Sequence, residues 1–239
     1  YRLIFGISLA VFMIGVVFSF FLRKRKVDGR YDWKYGFVQM TRKESPWRSI
    51  FPALMSQGVR EGVFAFLIGL LVYIATKDES KGGSYWLITS AAGLISFWLS
   101  GKLIKPRIRS IVMLLGSSIM IAVILPFFYD VNYATLLIFG IGTALAMPIY
   151  TIPMTSTTFD MIGRDQDSAD HRVEYVVLRE FGLNLGRIAG TLAFIAVISW
   201  DQSEPVLNWM LLSIGTFPFF TWLFMRRLLR RPVHADKTA

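Results

Sequence analysis

Seven apolar runs, joined by loops of sharply unequal charge, predict an all-α membrane protein with seven transmembrane helices. One leading helix is followed by a six-helix bundle. The first observation is length. A bilayer core takes roughly 20 apolar residues of helix, and the runs cover residues 3–22, 50–76, 85–99, 110–128, 134–154, 176–200 and 206–225. The second is charge. Alternate connections, after the first, third, fifth and seventh runs, hold 20 basic residues, whereas the opposite loops hold only Lys77 and Lys81. Basic residues collect on the cytoplasmic side, so the expected location is the cell membrane, multi-pass, with the C-terminus cytoplasmic. The third observation is agreement: every loop falls on the side that seven crossings demand.

The organisation follows in chain order. Residues 1–22 form the leading span, which enters from outside; this implies further spans before Tyr1, in odd number. Residues 23–46 are a basic cytoplasmic connection. Its Tyr31, Trp33, Tyr35, Phe37 and Met40 suit either a segment lying on the membrane surface or a plain linker. Residues 47–231 are the six-helix bundle, and 232–239 are a cytoplasmic tail. Ser45-Pro46 reads as N-cap and first-turn proline of the second span. Ala92, Ser96 and Ser100 give the third span a packing strip. Gly140, Gly142, Pro148 and Pro153 predict a kinked fifth span. Trp47, Trp86, Trp200 and Trp209 sit near run ends, where an aromatic belt belongs.

Two spans carry charge at depth. Arg60 and Glu61 lie about 20 Å along the second span at 1.5 Å per residue. Buried ionisable groups are costly and face the bundle interior or a wet cavity. At about 100° per residue, Gln57, Glu61, Phe64 and Ile68 share one face, Arg60 flanks it, and Gly58, Gly62, Ala65 and Gly69 form an adjacent strip. The sixth span repeats the design. Glu180, Asn184, Arg187 and Thr191 form a polar stripe, while Gly182, Gly186 and Gly190 lie roughly opposite, suited to close packing. The stripe offers a carboxylate, an amide and a guanidinium to a cavity; the alternative is that Glu180 and Arg187 merely pair with each other, or with Glu61 and Arg60, as structural glue. Two turns of helix separate Glu180 from Arg187, which leaves Arg187 at least partly free for an anion.

Composition excludes other chemistry. The chain has no cysteine, hence no disulfide or thiolate. His171 and His234 fall in loops, where solvation is the expectation, and no metal or other cofactor is expected. No glycine-rich phosphate loop stands after a strand. Asp165, Asp167 and Asp170 lack the glycine and terminal glutamate of a calcium loop. The net charge of +10 is explained by topology, so no nucleic acid is expected, and neither is an enzyme.

Six spans after a long basic loop, itself preceded by an out-to-in span, resemble the C-terminal half of the major facilitator superfamily, helices six to twelve. At motif level the resemblance rests on Gly101-Lys102-Leu103-Ile104-Lys105-Pro106-Arg107-Ile108-Arg109, which is similar to the family loop G-x-L-x-D-R-x-G-R-[RK]. Lys105, Pro106 and Ile108 depart from that pattern. Arg107 and Arg109 could still hold a gate, with Asp160 as acidic partner. The Gly/Pro-rich stretch 142–153 matches a family helix ten. The resemblance implies two six-helix bundles that rock about a central cavity, lined by helices seven, eight, ten and eleven. Both polar stripes fall on helices of that set.

The expected function is therefore secondary active transport of a small organic or amphipathic solute, as symport or antiport. Glu61 or Glu180 would exchange a proton, Glu180 being the stronger candidate because it shares a face with Asn184 and Arg187. Arg187, with Arg60 as a second candidate, would attract an anionic group on the substrate or act as counter-ion. The expected partners are the lipid bilayer, a small-molecule substrate and an N-terminal half of the same protein. Alternatives are a lipid or glycolipid flippase, a seven-helix receptor, or a membrane scaffold.

Overall fold

The computed structural model describes residues 2–22, 31–76, 79–164, 170–201 and 203–230. Arg23, Lys24, Arg25, Lys26, Asp28, Arg30, Lys77, Asp165, Asp167, Arg231, His234 and Lys237 lie outside the described residues. The described residues fold into helices without strands: α1 (Arg2–Phe20), α2 (Trp33–Thr41), α3 (Trp47–Thr76), α4 (Glu79–Leu103), α5 (Arg109–Ala122), α6 (Tyr133–Ile162), α7 (Arg172–Trp200), α8 (Glu204–Gly215) and α9 (Phe217–Leu229). The chain divides into two units, residues 1–30 and 31–239. The first holds α1, whose only charged residue is Arg2.

Local chemistry sets the helix ends of the second unit. The Asp32 carboxylate accepts from the Lys34 backbone N–H at 2.9 Å and starts α2. As the serine-proline pair predicts, Ser45 Oγ accepts from the Trp47 N–H at 3.3 Å where α3 begins. Asn132 and Thr135 cap α6 reciprocally, each side chain accepting from the other's backbone. Two apolar runs read as single helices are divided. The run 110–128 ends α5 at Ala122 and continues as a 3-10 turn over Leu125–Phe128, which contains Pro126. The run 206–225 breaks between Gly215 and Phe217, just before Pro218. A proline has no N–H to continue the hydrogen-bond ladder, and hydropathy alone does not register that. By contrast, α6 runs through Pro148 and Pro153 as one helix.

The bundle packs in two layers along α3. The first gathers Trp47, Ile50 and Leu54 with Met113, Tyr150, Tyr175, Leu178 and Met225. The second gathers Val63, Phe64 and Leu67 with Tyr85, Ile124, Phe127, Phe139 and Ile214. The broadest contact is α3 on α7; α4 and α5 both pack on α6, and α9 on α3. Two polar side chains inside find partners across helices, which an apolar surrounding favours. Ser96 Oγ donates to the Leu145 carbonyl at 2.6 Å, which places the predicted strip of α4 against α6. Trp222 Nε1 donates to the Ser110 carbonyl at 2.9 Å. Trp47 corrects the aromatic-belt expectation: it is 1% exposed and stacks on Tyr175 at 4.9 Å. Trp86, Trp200 and Trp209 are exposed.

By length and composition, four stretches can cross a membrane: Pro106–Phe128, Tyr133–Ile162, Arg172–Trp200 and Pro205–Leu229. Helices α3 and α4 are 30 and 25 residues long. Their apolar character is diluted by Arg48, Arg60 and Glu61 in α3, and by lysine, glycine and serine in α4.

Candidate functional site

The site begins with glycine. Helices α3 and α7 approach so closely that their glycines interdigitate. A Cβ on Gly58 would collide with the Leu183 carbonyl, and one on Gly186 with the Met55 carbonyl. One on Gly62 would lie 2.6 Å from the Arg187 carbonyl, and one on Gly190 2.6 Å from the Val59 carbonyl. Gly182 faces Phe51 and Leu54. The predicted ladder of α7 thus meets the strip of α3, but only through Gly58 and Gly62; Gly69 faces open space and Ala65 is exposed.

This mesh sets the register of the polar stripes beside it. Arg187 Nη2 donates to Glu61 Oε2 at 2.8 Å, and Arg187 Nε donates to the same oxygen at 3.3 Å. Gln57 Nε2 donates to Glu61 Oε1 at 2.6 Å. Arg187 Nη1 donates to Asn184 Oδ1 at 3.1 Å, and Asn184 Nδ2 to the Glu180 carbonyl at 2.8 Å. Both Glu61 oxygens are therefore occupied. The pair is not sealed: the side chains of Arg187 and Glu61 are 41% and 22% exposed. The expectation that Arg187 stays partly free is corrected. Its acceptor comes from another helix, which spacing along α7 could not show.

Glu180 stands outside this cluster. Its carboxylate pairs with Arg179 and is about half exposed. Arg60 is also separate. It precedes Glu61 by one residue, so it points about 100° away around α3, toward α6. It is 5% exposed. Its guanidinium lies 4.6 Å from the Phe64 ring centre, and Nη1 donates to Met147 Sδ at 3.9 Å. Its Nε and Nη2 have no hydrogen-bond partner, and among the described residues no carboxylate pairs with it.

The loop expected to gate shows one of its pairs. Arg109 Nη1 lies 2.5 Å from Asp160 Oδ2, tying the start of α5 to the end of α6. Arg107 lies exposed in the 3-10 turn Pro106–Ile108, and Gly101 is exposed with open space around it.

The basic connection holds α2, which packs on α7 and α3. The Asp32 N–H donates to Glu174 Oε1 at 3.1 Å. His171 stacks on Tyr35 at 3.8 Å, which corrects the expectation of a merely solvated loop histidine. Glu174, buried at the start of α7, was not singled out in the sequence; neither were Thr143 and Met147 of α6. The signal for the latter two was present, because Thr143, Met147 and Tyr150 recur by four and three along α6.

The chain is 36% identical over 218 residues to the uncharacterized protein YqgE of Bacillus subtilis (strain 168), a match over 90% of this chain and 50% of that protein. The chain thus spans about half the length of that curated relative. No protein-family model matches the chain. No solved structure matches it.

Proposed function

We propose that this chain forms the C-terminal half of a secondary transporter of the major facilitator type, with the Glu61–Arg187 pair as its coupling centre. In this reading α1, α3 and α4 join the four stretches above to make seven spans, and the C-terminus is cytoplasmic. The observation that carries the reading is the cluster Gln57–Glu61–Arg187–Asn184. It joins two tightly packed helices about 20 Å from their cytoplasmic ends, near the bilayer midplane where such transporters bind. It also remains partly exposed. Structural glue between two helices does not need an opening. A carboxylate that exchanges a proton does need one, and so does a guanidinium that changes partner. The Arg109–Asp160 bridge then acts as a cytoplasmic latch between α5 and α6. The relative is about twice as long as the segment matched, a length that accommodates a second bundle.

The test does not need the substrate. The chain has no cysteine, so single cysteines at Gln57 and Asn184 can be introduced into the full-length protein, freed of cysteines elsewhere. Alternating access predicts that both react with membrane-impermeant thiol reagents from either face of the membrane. A receptor or scaffold gives labelling from one face at most, and that pattern overturns the reading.

A further inference from the structure

Arg60 is a charged group buried without an ion-pair partner among the described residues. A guanidinium stays protonated in any protein setting, and an ion removed from water without a close partner is destabilised. Glu61 and Tyr150 act on it from farther off; its closest contacts are a ring face and a thioether. Neither satisfies Nε and Nη2. The same thioether, that of Met147, lines a cavity of about 240 Å³ between α3, α4 and α6. Ile68, Tyr85, Trp86 and Phe139 supply much of its wall. Thr143, one turn before Met147, also lines it, and the Thr143 hydroxyl is buried without a partner.

These observations fit together. An open, largely apolar cavity has an unsatisfied hydroxyl in its wall. Behind the Met147 side chain stands a cation without an ion-pair partner. Methionine has three rotatable bonds and a polarisable sulfur that adapts to what it touches.

We propose that this open cavity is a binding site for an amphipathic organic monocarboxylate. Its apolar body lies among Ile68, Tyr85, Trp86 and Phe139. Its carboxylate accepts from Arg60 and from the Thr143 hydroxyl once Met147 has turned aside. One unpaired guanidinium neutralises one negative charge, which favours a carboxylate over a phosphate dianion. Arg187 does not compete for the ligand, because Glu61 already neutralises it. The proposal rests on the transporter reading only for the passage of the solute; binding stands by itself.

The experiment uses the full-length protein in detergent with octanoate as probe, octanol as neutral control and octylamine as cationic control. Binding is read by calorimetry and by the fluorescence of Trp86, compared with a Trp86→Phe variant. Saturable octanoate binding is expected, with octanol and octylamine at least tenfold weaker. Arg60→Gln and Thr143→Val should weaken octanoate at least tenfold and severalfold, while Arg179→Gln, at a residue outside the cluster, leaves it unchanged. Arg60→Lys, which keeps the charge, should recover part of the affinity and covers the case in which Arg60→Gln does not fold. Absent octanoate binding, equal binding of octanol, or full affinity in Arg60→Gln or Thr143→Val overturns the site. If octanoate binds as expected but cysteines at Gln57 and Asn184 label from one face only, the site stands and the transporter reading falls.

Discussion

Arg187 on α7 and Glu61 on α3 form an ion pair 2.8 Å long, 126 residues apart in the chain, beside a seam of interlocked glycines. The carboxylate takes two bonds from Arg187 and one from Gln57. One carboxylate of α3 thus holds side chains of both helices, Gln57 on α3 and Arg187 on α7.

The first prediction is that Glu61→Gln in the full-length protein abolishes uphill transport but spares exchange. Flux assays in proteoliposomes, with and without a pH gradient, distinguish the two. Glu180→Gln should be milder, because Glu180 pairs locally with Arg179 and lies outside the cluster. Uphill transport that survives in both single variants and in the double variant removes the proton from this half.

A second prediction concerns energetics. Side chains in one ion-pair network couple by about 0.5–3 kcal/mol. Glu61→Gln, Arg187→Gln and the double variant should therefore show a non-additive loss of stability of about 1 kcal/mol or more. Detergent denaturation can measure this. Additive losses would mean that the pair is not formed in the folded protein.

The glycine seam makes a sharper contrast. Gly186→Leu places a side chain against the Met55 carbonyl, which is backbone and cannot move aside cheaply. Overpacking costs about 1–3 kcal/mol even where side chains can shift, so the expected loss lies at or above that range. Gly69→Ala meets no atom within 4 Å and should be neutral, or stabilising by up to about 1 kcal/mol through helix propensity. Equal thermal stability of Gly186→Leu and the parent would refute the face assignment.

The latch has its own test. Arg109→Glu breaks the bridge to Asp160 and places two acids side by side. Labelling of a cysteine at Asn184 from the cytoplasmic face should rise. Arg109→Glu combined with Asp160→Arg should return it toward the parent level. An unchanged rate in Arg109→Glu rules out a gating role for the bridge.

Topology is checked by position. Introduced cysteines at Gly82 and Asn132 should react from outside, and those at Asp28 and Asp167 only from the cytoplasm. A reversed pattern at any of the four removes the seven-span arrangement.

Periodicity made one part of this structure legible and left another hidden. The stripes Gln57–Glu61 and Asn184–Arg187 repeat every three or four residues, so neighbours within a helix could be read directly. The glycine ladder was readable for the same reason. Which stripe meets which is a tertiary fact: the register of α3 against α7 is set by Gly58 and Gly186 meeting backbone carbonyls, and spacing along one helix does not contain it. That is why spacing left open whether Arg187 meets Glu61 or stays partly free. The surroundings of Arg60 were hidden for a related reason. It flanks the stripe in sequence, and the helical turn sends its side chain toward Met147 of α6 rather than toward Arg187. Trp47 shows a third limit, because an aromatic residue near a span end reads the same whether it faces headgroups or the core.

The interlocked glycines also restrict how this half can deform. Leu183 and Arg187 already fill the room that Gly58 and Gly62 leave on α3, so sliding α7 by one residue would bring bulkier neighbours of those glycines against its backbone. The seam therefore resists slippage between the two helices, and the Glu61–Arg187 pair is anchored beside a contact that fixes its register.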